Sequence, residues 1–470
     1  MSTFMSEREN RLSKRLTYLY PLFISLFLLA ATPIAVIYTN EWDFFDNLLR
    51  ILTSPCKLVT DYFALGGLGS TLFNAAVCGL CTNLIVYLSR AKANATILAG
   101  YMLVVAHCFY GLNFLNMWPP FLGILLYCIV MKKKVSENIH IAFFSTSLAP
   151  FVSELCFRYT LDNYDSSVIN VNWVGVILSL VCGLAIGFVV PALIPGTAAM
   201  HRGYSMYKAG LAIGILGIFL NAFMYKTLGV EKPGNTPIVN DSYYALPYGY
   251  RGFMNVFFII LFLTTFIVGF ILNKKSIRGY RELLQCTGHG TDFTDKFGMP
   301  VCMINIAIYG FAILVYLNVV FILPSIFPGL PTGVGFTGAT VGIILAALTF
   351  AADGQHIRNV FPIMVGYILL FVLVVLICAI AKFDIPWTLS TQAYINSLAF
   401  ATGLCPIAGK YGFRYGVLAG FMSAVICTIT ADMHGGFVLY NGGFNAGLTA
   451  LVLIPILDFY KIKPIKESDI

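Results

Sequence analysis

Leu404-Cys405-Pro406, Phe413-Arg414-Tyr415, Met433-His434-Gly435-Gly436, Tyr440 and Asn445-Ala446-Gly447-Leu448 repeat a pattern met earlier in the chain. The earlier copy reads Leu148-Ala149-Pro150, Phe157-Arg158-Tyr159, Met200-His201-Arg202-Gly203, Tyr207 and Lys208-Ala209-Gly210-Leu211. Leu148 and Leu404 differ by 256 positions, His201 and His434 by 233. Apolar coincidences are cheap in a greasy chain, but matched His, Arg, Pro and Tyr are not. The pattern reads as a duplication. It extends outward, since Gly67-Leu68-Gly69-Ser70-Thr71 can be laid on Gly333-Val334-Gly335-Phe336-Thr337 at an offset of 266, ungapped to Pro120 and Pro386.

Composition fixes the solvent. Of 470 residues, 59% are hydrophobic and only 11% charged, against about 25% charged in a soluble domain. Apolar runs such as 16–38 reach the roughly 20 residues that cross a bilayer. The chain is therefore expected to be all-α and polytopic, with about 12–14 spans, two homologous halves and re-entrant segments. The domain reading is a first half over 1–251, with an interfacial helix near 46–63, then a linking span and basic loop over 252–300, and a second half over 301–470. Spans are expected at 95–117, 119–131, 336–352 and 387–408 among others.

The net charge of +8 lies mostly in short loops and at the termini. This is the pattern of the positive-inside rule, not of a nucleic-acid surface. Arg8, Arg11, Lys14 and Arg15 then place the N-terminus in the cytoplasm of a multi-pass protein of the cell (inner) membrane. Reading the basic loops at Arg90, Lys132 and Lys274 as cytoplasmic favours a parallel relation of the halves. An inverted relation follows if 386–406 makes one full crossing. The cysteines lie mostly inside apolar spans and read as small core residues. No nucleotide loop, zinc-protease or serine-hydrolase motif is present, so no catalytic residue, metal or cofactor is expected.

The residues with chemical potential cluster in the repeated stretch. His201 and His434, paired by the duplication, are expected to face each other across an axis. With Tyr207, Tyr440, Asn441 and Asn445 they are candidates to bind a small solute. Gly435, Gly436, Gly442 and Gly443, with Pro150 and Pro406, mark broken helices of the kind that line transporter sites. Tight small-residue packing is the plain alternative. Arg158 and Arg414 read as headgroup anchors, as groups that orient an anion, or as partners of Glu154 or Asp432. Asp61, His107 and Asp353 read as ordinary loop or background residues.

The stretches Leu52-Thr53-Ser54-Pro55 to Asp61-Tyr62, Gly66-Gly67-Leu68-Gly69, Cys405 to Gly412 and His434 to Phe444 resemble a family of prokaryotic integral membrane proteins. That family is catalogued only as a domain of unknown function, and the domain can occur twice in one chain. The resemblance implies a duplicated domain in a prokaryotic inner membrane and carries no substrate. The functional expectation is a transporter or channel for a small solute, with a site between the halves, membrane lipids as neighbours and a proton or sodium ion as coupling partner. A homo-oligomer is compatible with it. The rival is an intramembrane enzyme acting on a lipid or polyprenyl substrate.

Overall fold

The computed structural model describes residues 6–158, 171–229 and 249–465; Tyr159 of the repeated motif lies outside them. The first half runs α1 (Glu7–Thr39), α2 (Phe44–Thr53), α3 (Tyr62–Ser89), α4 (Ala95–His107), α5 (Trp118–Val130), α6 (Val135–Ser145), α7 (Ala149–Arg158), α8 (Trp173–His201) and α9 (Lys208–Ala222). The second runs α10 (Arg251–Leu272), α11 (Met299–Ile326), α12 (Gly338–Ala347), α13 (Ile357–Ala381), α14 (Gln392–Ala401), α15 (Cys405–Tyr411), α16 (Phe413–Met433) and α17 (Asn441–Phe459). Among the described residues, ten helices are long and apolar enough to cross a membrane. The other expected spans are present as the shorter α4, α5 and α12 and the broken α14–α15. Ile37, Trp173, Ile380 and Phe459 are among the large apolar side chains left on the outside, as a lipid-facing surface requires.

Local chemistry explains where the helices begin, end and break. Ser6 and Glu9 form a reciprocal cap at the start of α1, and Asn40 closes it in the left-handed conformation. Gly67 (φ 78°) interrupts α3, and Gly298 (φ 86°) precedes α11, a backbone region where an L side chain is strained. Asn74 of α3 donates its amide to the carbonyls of Cys108 (3.1 Å) and Leu112 (3.0 Å). Asn305 of α11 does the same for Ala351 and Gln355, both at 2.7 Å. These carbonyls lie past the ends of α4 and α12, where the backbone turns inside the protein and needs partners. The equivalences Gly67–Gly298 and Asn74–Asn305 share one offset (298 − 67 = 305 − 74 = 231). The ungapped offset of 266 is thereby corrected: α3 corresponds to α11, and α4 to α12.

The halves are inverted. Glu9 pairs with Lys274 at 2.6 Å, Ser13 bonds to the carbonyl of Thr294, and the backbone amide of Ala95 reaches Asp292. These contacts gather residues 9–13, 95 and 274–294 at one end of the molecule, the basic end. Glu41 accepts from Tyr250 at the far end, where Leu58 bonds to Gly436 and Asn221 to Met433. His201 and its neighbour Arg202, whose carbonyl meets His289 at 3.0 Å, lie at the basic end. His434 lies at the far end. Among the described residues each half runs from one end of the molecule to the other five times, through α1, α3, α6–α7, α8 and α9 or their counterparts α10, α11, α14–α15, α16 and α17. The hairpins α4–α5 and α12–α13 return to the end they left. An odd number of crossings reverses the second copy, so the parallel relation favoured by the basic loops is overturned. α10 packs on α11 as α1 packs on α3, which joins the supposed linking span to the second half.

Candidate functional site

Each half completes the other near the axis. Asp292 Oδ2 accepts from the amide of Ala95, the first residue of α4, at 3.4 Å. Asp61 Oδ1 accepts from Gly338, the first residue of α12, at 2.8 Å. A carboxylate beside a helix N-terminus is stabilising, because it meets unsatisfied N–H groups and the positive end of the dipole. The breaks between α6 and α7 (Thr146–Leu148) and between α14 and α15 (Thr402–Leu404) are single 3₁₀ turns. The carbonyl of Ser147 in the first break accepts from Leu439, and that of Gly403 in the second accepts from Met206, both at 2.9 Å. Segments 202–207 and 434–440, one from each half, thus satisfy the carbonyls that the broken helices of the opposite half release.

Those two segments carry the N-termini of α9 and α17 to a crossing. A Cβ at Gly210 would stand 2.6 Å from the carbonyl carbon of Gly443, so glycine is what lets the two backbones touch. Tyr207 and Tyr440, the residues preceding the two helices, cross edge to face with ring centres 5.2 Å apart. Tyr207 is flanked by Phe350 (4.8 Å) and Phe400 (5.3 Å) of the second half. Tyr440 is flanked by Phe144 (6.4 Å) and His107 (6.2 Å) of the first. His107 in turn meets Tyr110 at 5.6 Å. Among these groups, both ring nitrogens of His107 and the hydroxyls of Tyr110 and Tyr440 are buried without a hydrogen-bond partner. Each such orphan costs about 1–3 kcal/mol.

A cavity of about 430 Å³ opens from the basic end to this crossing. Gly203, Gly290 and Thr291 line it at the basic end, and Phe350 and Tyr440 line it at the crossing. Its charged and titratable lining is Lys208 at the start of α9, Asp292, Asp353 and His140. The lining therefore offers an ammonium beside a helix N-terminus and two carboxyl groups within one small space.

Of the residues expected from sequence, Tyr440 lines this cavity, while Tyr207 stands behind it and donates to the carbonyl of Ala346 at 3.2 Å. His201 and His434 do not face each other; they lie at opposite ends. His434 is held by Asn441 Oδ1 (2.9 Å) and the amide of Val438 (3.4 Å), so it and Asn441 brace the turn before α17. Asn445 points into a network, donating to Ser397 Oγ (2.6 Å), Ser423 Oγ (3.1 Å) and the Ser423 carbonyl (3.0 Å), with Tyr367 bridging the two serines. Gly435 and Gly436 turn the chain with φ of 64° and 80°. Gly442 packs against Phe400 and Gly443 against Gly210. Pro150 and Pro406 stand at the first turns after the 3₁₀ breaks. Arg158 takes the ion-pair alternative and is no headgroup anchor: it is buried against Glu154 at 3.4 Å. Arg414 is exposed. Sequence reasoning passed over His107, Asp353, Lys208 and the caps Asp61 and Asp292. The shared offset of 231 between Asp61 and Asp292, also that of Asn74 and Asn305, was the signal that could have found the caps.

A duplicated helical bundle with mutually inverted halves, each with an interrupted hairpin, defines a polytopic membrane protein of two domains. Its residues 40–226 and 272–459 each match the family described as "Protein of unknown function (DUF1576)", and the chain belongs to that family. No curated protein and no solved structure matches it.

Proposed function

We propose that this protein is a secondary transporter for a small polar solute, with its site where α9 and α17 cross. The observation that carries this reading is the cavity, which runs from the basic end to the contact of two oppositely directed helix N-termini. Inverted repeats with interrupted helices and a site at mid-depth are the recurrent plan of secondary carriers, in which one half rocks against the other. A through-pore would need openings at both ends, whereas here Leu58 and Gly436 bond across the far side. Asp353 and Lys208 are the groups that contact the solute or a coupling proton or sodium ion. The basic end, with Arg8, Arg11, Lys14, Arg15, Lys132, Lys133, Lys134, Lys274 and Lys275, faces the cytoplasm of a prokaryotic inner membrane, following the positive-inside rule.

The test is a thermal-stability screen of the purified protein in mild detergent against metabolites, ions and lipids. A solute at 100 times its dissociation constant stabilises by about 2.7 kcal/mol, and the hit is then followed as uptake into proteoliposomes. Stabilisation and uptake that both disappear in Asp353→Asn support the reading. Stabilisation by a lipid or polyprenyl phosphate alone, without uptake of any soluble hit, overturns it in favour of an intramembrane enzyme.

A further inference from the structure

The two hairpin tips are equivalent in the repeat but meet the axis differently. Phe350 and Asp353, at the second tip, line the open cavity. The equivalent residues of the first tip are His107 and Tyr110 (350 − 107 = 353 − 110 = 243). Both are sealed, with at most 1% of their surface exposed. The seal consists of Gly111, whose Cβ position would meet Leu439 and the carbonyl of Cys56, and of the bond between Leu58 and Gly436. Behind that seal, His107 offers two unpartnered nitrogens, and Tyr110 and Tyr440 two unpartnered hydroxyls. Packing alone does not call for these groups, since phenylalanine fills the His107 position at the other tip.

Building on the transport reading, we infer that His107, Tyr110 and Tyr440 form a second solute-contact site that opens to the far end of the molecule. It opens when the two halves exchange conformations. The ligand it fits is a small dipolar molecule that donates a hydrogen bond to the imidazole and accepts from the phenol hydroxyls. Exchange of the halves turns each lining residue into its repeat partner. Asn441 then takes the place of Lys208, Asp61 that of Asp292 and Tyr110 that of Asp353. The solute leaves Lys208, Asp292 and Asp353 at one end and meets Asp61 as the one acidic group, beside the imidazole, the Asn441 amide and phenol hydroxyls, at the other. Tyr440, which lines the open cavity and stands beside His107, borders both sites in this structure.

The test is the sidedness of access, read in right-side-out and inverted membrane vesicles. The probe is a small membrane-impermeant methanethiosulfonate, located by mass spectrometry, with wild-type protein giving the background of native cysteines. Asp353→Cys is expected to be modified only from the basic end, and His107→Cys and Tyr110→Cys only from the opposite end. Modification of the latter two from the same end as Asp353→Cys overturns the inference, as does their inertness beside a reactive Asp353→Cys. An unreactive Asp353→Cys overturns the cavity reading itself, and the inference with it. Tyr110→Phe supplies a readout that needs no labelling. Loss of an unpartnered hydroxyl should raise the melting temperature in the absence of solute, whereas a fall would show that a bound water already satisfies the hydroxyl and overturn the inference.

Discussion

Asn74 and Asn305 each hold two carbonyls of a turn that no helix can satisfy. Asn305→Leu removes the donor and keeps the bulk, leaving the carbonyls of Ala351 and Gln355 with a penalty of about 1–3 kcal/mol each. Thermal unfolding in detergent should show the loss, and Asn74→Leu should match it within a factor of two. A much smaller effect at one site would mean that its turn is hydrated. A different residue tests burial: Cys56 is enclosed in the loop after α2, and burial pushes its thiol up to about 12. Thiolate is the nucleophile, so at pH 8 a maleimide should modify the partly exposed Cys286 and leave Cys56 untouched until the protein unfolds. At this scale the sequence was half legible. Tyr440 stood out because it recurs at a fixed offset from a matched histidine. His107 did not, because its meaning comes from Tyr110 and Tyr440, the second of which is brought to it only by the fold.

The contact between α9 and α17 depends on two glycines and tolerates no addition. A methyl at Gly210 would stand 2.6 Å from the Gly443 backbone, so Gly210→Ala must push the helices apart at a cost of about 1–3 kcal/mol. Solute-induced stabilisation should fall more than intrinsic stability does, because the displaced elements carry Lys208 and Tyr440. Equal losses in both would reduce the crossing to a packing feature. The caps offer a second comparison between elements. Asp292→Asn and Asp61→Asn each remove the charge from a helix N-terminus, worth about 0.3–2 kcal/mol, and the two should lower the melting temperature similarly. The existence of the helices was readable from apolar runs, and so were the breaks, from Pro150 and Pro406. Their pairing between halves was not. Small residues in α3 and α12 gave a long ungapped match that concealed two shifts of register, and only polar residues with fixed partners reveal the true alignment.

The reversed relation of the halves has a direct consequence for the whole molecule. Lys132 and Lys382 end the returning arms of the two hairpins, both exposed and both left-handed at φ 52° and 58°. In intact cells an impermeant reagent should modify Lys382→Cys and not Lys132→Cys, with the pattern exchanged in inverted vesicles. Modification of both from one side would refute the inversion. Basic residues could not settle it from sequence, because the parallel reading rests on comparing α1 with α11, whereas the counterpart of α1 is α10.

Asp61 and Asp292 reach across the axis, so that the first helix of each hairpin is capped by the other half. A polypeptide carrying this domain once would therefore lack both its cap and the strap that closes its broken helix. It could complete itself only by meeting a sister molecule threaded through the bilayer the other way. Such a single-domain polypeptide would be expected to insert in both orientations and to assemble as an antiparallel dimer, with loop charges balanced between the two faces. Fusion of two copies would have frozen that choice, freeing each half to acquire its own charge bias and its own chemistry at the tip.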